Sequence, residues 1–342
     1  MSETIAISGG GTGGHLKVAK ALGDEFHKQG VKLVFLGSSK GQDKAWFEYD
    51  KIFEKAYFFD TSGVVNKGIL GKVYSLFNML KKAREVKKIF KKYKIKKLIS
   101  VGGYGAAPAV FASILSPKCS LYIHEQNSVF GTLNKYSSFF AKEVFSSYTP
   151  NSKLKAYPVL EEFFDNARVR TELKSIIFLG GSQGAKAIND FALSLAKDLK
   201  SRNINIIHQA GKNDFARVKK AYEELKIKAE VFDFDKNLVE KIAKADFACA
   251  RAGASSLWEL VASGLPCFFI PFPYAAKNHQ YFNAKFLVDK KLAFLQNEKN
   301  LSKDYFLECL KGLNSNLKNL SKDLKAQIKP NGAKDIVENI LG

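Results

Sequence analysis

Three observations predict an α/β protein made of two Rossmann-like domains facing a cleft. The chain has 342 residues, long for one hydrophobic core and comfortable for two domains of ordinary size. Short apolar runs alternate with helical patterns in two successive series, the rhythm of a parallel sheet wrapped by helices. Both series open alike, since IAISGGGTGGH and IIFLGGSQGAK put Gly-Gly-x-x-Gly behind an apolar strand, at Gly10, Gly11 and Gly14 and at Gly180, Gly181 and Gly184.

In the first series strands are expected at residues 4–8, 32–36, 56–59, 97–101, 120–124 and 143–146. In the second they are expected at 175–179, 204–208, 229–232, 246–250, 266–270 and 293–295. Between the third and fourth strands, residues 66–97 carry Leu70, Val73, Phe77, Leu80, Ala83, Val86, Phe90 and Tyr93 at helical spacing. From residue 81 to residue 97 ten positions are basic and only Glu85 is acidic. The stripe suits packing on the sheet, and the basic face suits either solvent or an anionic membrane approached through exposed Ile69, Leu76 and Met79. Residues 148–174, with Pro150 and Pro158 and no clean period, suit a connecting hinge, and residues 328–341 a final helix. The domain boundaries that follow are 1–158, 159–326 and a C-terminal helical segment, 327–342, returning to the first domain.

Composition narrows the class. Hydrophobic residues make up 46% and charged residues 25%, which fits a globular chain. Lys and Arg number 54 against 33 Asp and Glu, a formal charge of +21 that would attract nucleic acid, anionic lipid or a phosphorylated substrate. No DNA- or RNA-binding motif accompanies that charge. Cys119, Cys249, Cys267 and Cys309 have neither metal-ligand spacing nor a disulfide framework, and read as reduced thiols of a cytoplasmic protein. No signal peptide is expected and no apolar run approaches the ~18 residues of a membrane span, so any membrane contact is peripheral.

Glycines after a strand let backbone N–H groups approach a ligand, and the next helix offers its positive end to an anion. The same glycines also serve helix-on-strand packing. The pattern departs from a Walker loop because Gly14 is followed by His15 and Leu16, and a dinucleotide site lacks the usual ribose-binding acid after the second strand of either series. His15 stands at the start of the first helix, where the neutral imidazole is favoured and able to accept a proton; a structural role hydrogen-bonded to the loop competes with this. Near the end of the chain, ARAGASSLWELVASGLPCFFIPFPYAAKNHQYFNA offers an anion cradle at Gly253, Ala254, Ser255 and Ser256. Glu259 would meet ribose hydroxyls, or merely stabilise its helix N-terminus. Asn278, His279, Gln280 and Asn283 supply groups that bind sugar hydroxyls. Asp233 and Asp235 read as loop structure, and no obligatory metal is expected.

GGGTGGH, GGYGAAPAV, HEQNSVFGTLNK, GGSQGAKAIN, RAGASSLWELVASGLP and HQYFNA occur in one order along essentially the whole chain. In these segments the sequence resembles the MurG family, UDP-N-acetylglucosamine transferases that convert lipid I to lipid II in bacterial peptidoglycan synthesis. The resemblance implies a GT-B glycosyltransferase without a cofactor, inverting the anomeric centre in one displacement by the acceptor's C4 hydroxyl. It implies that Ser182, Gly253, Ala254, Ser255, Ser256, Glu259, Gln280 and Asn283 serve the UDP-sugar, with the uracil at the loop around Phe234 and Asp235. Thr12, Gly13, Gly14, His15 and Asn127 would line the cleft, His15 as candidate base, with Glu125, the second catalytic candidate, and Tyr104 on the acceptor side. The opening glycine loop would accommodate the lipid-linked diphosphate.

The partners implied are UDP-N-acetylglucosamine, lipid I, the anionic inner-leaflet surface and cell-wall synthesis and division proteins, with no nucleic acid. The location implied is the cytoplasmic face of the inner membrane. Two departures stand out. The family's junction arginine is Leu160 here, for which Arg170 is a candidate substitute, and the usual Gln pair is His279 and Gln280. Rival readings are another GT-B enzyme with a lipid acceptor and a UDP-N-acetylglucosamine 2-epimerase-like enzyme.

Overall fold

In the computed structural model the described residues are 3–61, 69–149, 152–181, 183–235 and 237–342, with backbone alone for 69–77. They divide into two compact units, Met1–Val159 with Asn331–Gly342, and Leu160–Pro330.

The first unit holds six parallel strands, β1 (Thr4–Gly9), β2 (Lys32–Ser38), β3 (Lys55–Phe59), β4 (Lys97–Gly102), β5 (Ser120–His124) and β6 (Ala141–Phe145). Their order in the sheet is β3-β2-β1-β4-β5-β6. The crossovers are α1 (Gly13–Lys28), α2 (Asp43–Phe47), α3 (Ile69–Tyr93), α4 (Ala107–Ile114) and α5 (Thr132–Ser137). A parallel sheet covered on both faces calls for apolar side chains without alternation. Ile5, Ala6, Ile7, Leu33, Val34, Phe35, Leu98 and Ile99 are accordingly all fully buried.

On α3, Ala83, Val86 and Phe90 join Val34, Leu36, Leu98 and Leu121 in one cluster, as the stripe predicts, whereas Leu80, also in the stripe, is exposed. Burying Val86 and Phe90 contributes about 1.5–3 kcal/mol each. Met79, expected exposed, is half-buried, because it lies four residues before Ala83 and seven before Val86 and so shares their face. The side chains of Ile69, Leu70, Val73, Leu76 and Phe77 lie outside the described residues.

The second unit repeats the topology. Its strands are β7 (Ser175–Leu179), β8 (Asn205–Gln209), β9 (Ala229–Phe232), β10 (Phe247–Ala250), β11 (Cys267–Phe269) and β12 (Phe294–Leu295), parallel and ordered β12-β11-β10-β7-β8-β9. Its helices are α6 (Glu161–Asp165), α7 (Lys186–Ser201), α8 (Phe215–Glu224), α9 (Leu238–Lys244), α10 (Ala254–Ala262), α11 (His279–Val288), α12 (Lys303–Leu313) and α13 (Leu317–Lys325).

The segment expected to be only a hinge is firmly anchored here. Arg168 Nε donates to Ala243 O at 2.6 Å, and its Nη2 to Ala245 O at 2.9 Å and to Asp246 at 2.6 Å. Arg170 is fully buried. It donates to Ala245 O at 3.2 Å, Ile242 O at 3.1 Å, Arg168 O at 2.9 Å and Ser263 O. The carbonyls left open at the ends of α9 and α10 are satisfied in this way. Arg170 therefore cannot replace the junction arginine, since its donors are spent on the backbone.

The last helix, α14 (Gly332–Leu341), belongs to the first unit and packs on α1. It starts four residues later than the sequence suggests, because Pro330 keeps Lys329 out of helical conformation and Asn331 becomes the N-cap. Ile336, Val337 and Ile340 are buried, and Lys97 Nζ donates to Leu341 O at 3.3 Å.

Candidate active site

In the first unit the loops after β1, β2 and β4 meet at the carboxyl ends of the strands, beside the switch point between β1 and β4. Asp43, at the start of α2, is fully buried beneath them. Its Oδ1 accepts from Gly11 N at 2.6 Å and its Oδ2 from Ser38 N at 2.7 Å. Burial pushes its carboxyl above the usual range, against these bonds, which favour the charge. Tyr104 lies against Gly11, where a Cβ would come 2.2 Å from the ring, and donates its hydroxyl to Lys40 O at 3.1 Å. The Gly11 N–H is thus committed to Asp43 and not open to the diphosphate suggested by the glycine pattern.

His15 is the third residue of α1, behind Gly13 and Gly14. Its Nδ1 lies 2.8 Å from the hydroxyl of Thr12, the exposed N-cap residue. A methyl placed on Gly102 would sit 3.5 Å from His15 Nε2 and 3.2 Å from Asn134 Nδ2, so both side chains flank the end of β4.

Glu125 is 2% exposed. Oε1 accepts from Asn127 N at 3.0 Å, and Oε2 from Gly131 N at 3.0 Å and Asn134 Nδ2 at 2.9 Å. The carboxylate therefore ties the HEQN loop to the start of α5. His124 beside it is wholly buried, and burial pulls its pKa down to about 3.

In the second unit the loops after β7 and β10 flank the corresponding switch point. Ser182 lies outside the described residues. Gly180 N donates to Gln209 O at 3.1 Å and Gly184 N to Gly181 O at 3.0 Å. Below this loop Asn189 donates Nδ2 to Ala210 O at 3.0 Å and to Asp214 at 2.7 Å. Its Oδ1 lies 3.0 Å from His208 Nε2, and His208 Nδ1 lies 3.0 Å from the Tyr222 hydroxyl. With Asn189 Oδ1 accepting, His208 carries its proton on Nε2 and accepts from Tyr222. Burial pulls the His208 pKa down to about 3.

A cavity of about 360 Å³ opens here, lined among others by Gly184, Lys186, Arg251, Phe272, Gln280 and Glu298. Gln280 Oε1 is held by Phe272 N at 2.9 Å. Arg251 donates to Ile270 O and Pro271 O, both at 3.1 Å, and pairs with Glu298 at 2.7 Å.

Gly253 is the N-cap of α10, with open space where its Cβ would be. Ala254 and Ser255 are buried, Ser256 is half-buried, and Glu259, on the second turn, is 4% exposed. Asn283, expected to meet a sugar hydroxyl, is fully buried and gives Nδ2 to Ala252 O at 3.2 Å. In this conformation it braces the loop after β10 rather than facing solvent.

Asp233 accepts from Phe234 N at 2.6 Å and Asp235 from Asn237 N at 2.8 Å, the loop role expected of them. Among the described residues no group of three or more His, Cys, Asp or Glu side chains gathers as a metal site, and no helix is long and apolar enough to cross a membrane.

Sequence reasoning missed Asp43, Asn134, His208, Arg251 and Glu298. Asn134 lies inside a quoted segment, HEQNSVFGTLNK. Asp43 lies in SSKGQDKAW, which has no recognisable motif.

Paired six-stranded parallel sheets, each with a glycine loop beside its switch point, define a two-domain α/β protein of GT-B class. The chain belongs to glycosyltransferase family 28: residues 5–146 match the family's N-terminal domain and residues 175–340 its C-terminal domain. It is 51% identical over 340 residues to a Campylobacter jejuni (serotype O:6) protein named UDP-N-acetylglucosamine--N-acetylmuramyl-(pentapeptide) pyrophosphoryl-undecaprenol N-acetylglucosamine transferase, covering 99% of this chain and 97% of that one. A Helicobacter pylori protein of the same name is 48% identical over 350 residues, covering 98% and 99%.

The crystal structure of Acinetobacter baumannii MurG matches with a TM-score of 0.81 at 26% identity, covering 99% of both chains. A UDP-GlcNAc 2-epimerase from Neisseria meningitidis, solved bound to UDP-GlcNAc, matches with a TM-score of 0.63 over 100% of both chains. At 13% identity that likeness shows the fold alone.

Proposed function

We propose that this protein is an inverting hexosyltransferase that moves N-acetylglucosamine from UDP-N-acetylglucosamine to the C4 hydroxyl of the N-acetylmuramyl sugar of lipid I, giving lipid II. The observation that carries this reading is identity near 50% over almost the full length to relatives named for that transfer.

In the displacement the C4 oxygen bonds to C1 of the donor sugar as the bond from C1 to the diphosphate breaks, and the electron pair leaves with UDP. The C4 proton passes to His15 Nε2. This role requires the tautomer in which Nδ1–H donates to Thr12 Oγ1 and Nε2 is the accepting ring nitrogen. Tyr104 and Asn127 line the acceptor side. Glu125 acts as a positioning residue, since its carboxylate is buried and accepts three hydrogen bonds. The leaving diphosphate is met by Ser182 and by the N-terminal N–H groups of α10 at residues 253–256. Glu259 holds the ribose, Gln280 the sugar, and Asn283 supports the α10 loop from behind. The balance needs no cofactor.

The acceptor is lipid-linked, so the enzyme works at the cytoplasmic face of the inner membrane. Support comes from Phe139 and Phe140, 82% and 63% exposed, with Tyr136 and Leu115 also exposed among Lys118, Lys135 and Lys142. Apolar side chains ringed by cations suit an anionic lipid surface.

The test is incubation with labelled UDP-N-acetylglucosamine and a short-chain lipid I analogue. Labelled disaccharide product is expected. Neither sugar transfer nor UDP release would sink the proposal, and UDP-N-acetylmannosamine as product would turn the assignment to an epimerase.

A further inference from the structure

We propose that Asp43 is the positioning residue of the acceptor side, fixing the conformation of residues 10–12 and through them the place of Thr12 and His15. This rests on the transferase reading above. Three features of the geometry carry it.

The fully buried carboxylate bridges two loops by accepting from Gly11 N at 2.6 Å and Ser38 N at 2.7 Å. The backbone is cut to its shape, since a Cβ would come within 1.9 Å of Oδ2 at Gly10, 2.8 Å at Gly37 and 3.1 Å at Gly105. Gly11 sits at φ +91°, a conformation that glycine reaches and other residues rarely do, and the N-cap of α1 follows it directly. The carboxylate therefore decides where α1 begins, and His15 stands on its first turn. No atom of Asp43 is exposed to meet substrate, so its effect passes entirely through the loop.

Asp43→Asn keeps the shape but offers one acceptor where two are needed, turning an NH2 group toward either Gly11 N–H or Ser38 N–H. Asp43→Glu adds a methylene where the glycines leave no room. For both variants kcat/KM for the lipid I analogue should fall roughly 10- to 100-fold, the scale of a misplacement near 1 Å. The calorimetric Kd for UDP-N-acetylglucosamine, and the stoichiometry of that binding, should stay within about twofold of the parent, because the donor site lies in the other unit.

A merely structural role would instead lower the binding stoichiometry and kcat together, with the acceptor KM unchanged. That pattern, or Asp43→Asn matching the parent enzyme, overturns the proposal. Hydrogen exchange of the parent protein provides a second measurement that does not depend on variant folding. The Gly11 amide should be strongly protected although it lies in a loop, and fast exchange there also overturns the proposal. If the parent transfers no sugar, the transferase reading fails first, and the amide measurement still reports on the clamp.

Discussion

The two glycine loops share a sequence pattern and a place beside a switch point, yet they are braced by opposite means. In the first unit the brace is a carboxylate, Asp43, beneath Gly11. In the second it is a run of uncharged side chains, Tyr222 to His208 to Asn189, ending on Ala210 O and on the Asp214 carboxylate. The difference has an electrostatic consequence. An anion placed on the first loop would compete with a carboxylate for the Gly11 N–H and feel its charge at close range in a low-dielectric setting. The carboxylate at the end of the second brace, Asp214, is instead paired with Arg217 at 2.6 Å, and Lys186 and Arg251 line the cavity beside the loop. This contrast supports the proposed placement of the nucleotide diphosphate at the second loop and of an uncharged sugar hydroxyl beside His15 at the first.

Breaking one side at a time tests this division. The largest effect is expected for His15→Ala, which should lower kcat by roughly 10²- to 10⁴-fold while the donor Kd stays unchanged. Full retention of turnover would remove His15 from the role of base. Asn189→Ala is the counterpart of the Asp43 variants in the other unit. It strips the second loop of its brace and leaves His208 Nε2–H without an acceptor, at about 1–3 kcal/mol in stability. The donor Kd should rise about tenfold, as 1.4 kcal/mol corresponds to a factor of ten, with the acceptor KM unmoved. A rise in acceptor KM instead would erase the division between the loops.

Acid adds a graded probe. His208 titrates near 3 when folded and near 6.5 when unfolded, so between those values the unfolded chain takes up a proton that the folded one refuses. The stability associated with neutral His208 is complete above pH 6.5 and is lost as pH falls toward 3. His124 imposes the same sign on the first unit. Replacing His208 with Gln should flatten the thermal-unfolding midpoint of the second unit against pH over that window, and an unchanged slope would mean that His208 is charged when folded.

What could be read beforehand follows from how local each signal is. The strands were legible because a doubly covered parallel sheet writes itself as continuous apolar runs, as at Ile5, Ala6 and Ile7. The glycine loops and His15 were legible because each sits in one contiguous segment. Asp43 was not, because its meaning depends on three loops that only the folded sheet brings together. Arg170 was misleading for a related reason. An arginine near a domain junction suggests an anion, whereas carbonyls at the ends of α9 and α10, distant in sequence, had first claim on its donors. Asn283 belongs with these, an amide in a polar-looking segment whose partner is a backbone carbonyl 31 residues earlier in the chain.

The smallest expected effect separates stability from function within the second brace. Tyr222→Phe deletes the hydroxyl that donates to His208 Nδ1 and leaves the imidazole ring packed edge-on to a phenyl of the same shape, where the two centroids now stand 5.8 Å apart. One buried hydrogen bond is lost, worth about 1 kcal/mol, and the unfolding midpoint should fall by about 2–4 °C. Because Asn189 keeps its bonds to Ala210 O, Asp214 and His208 Nε2–H, the loop stays in place and the donor Kd should not change. A weakened donor Kd in this variant would show that the brace acts as one unit back to Tyr222, and would move the boundary of the donor site a full layer deeper into the domain.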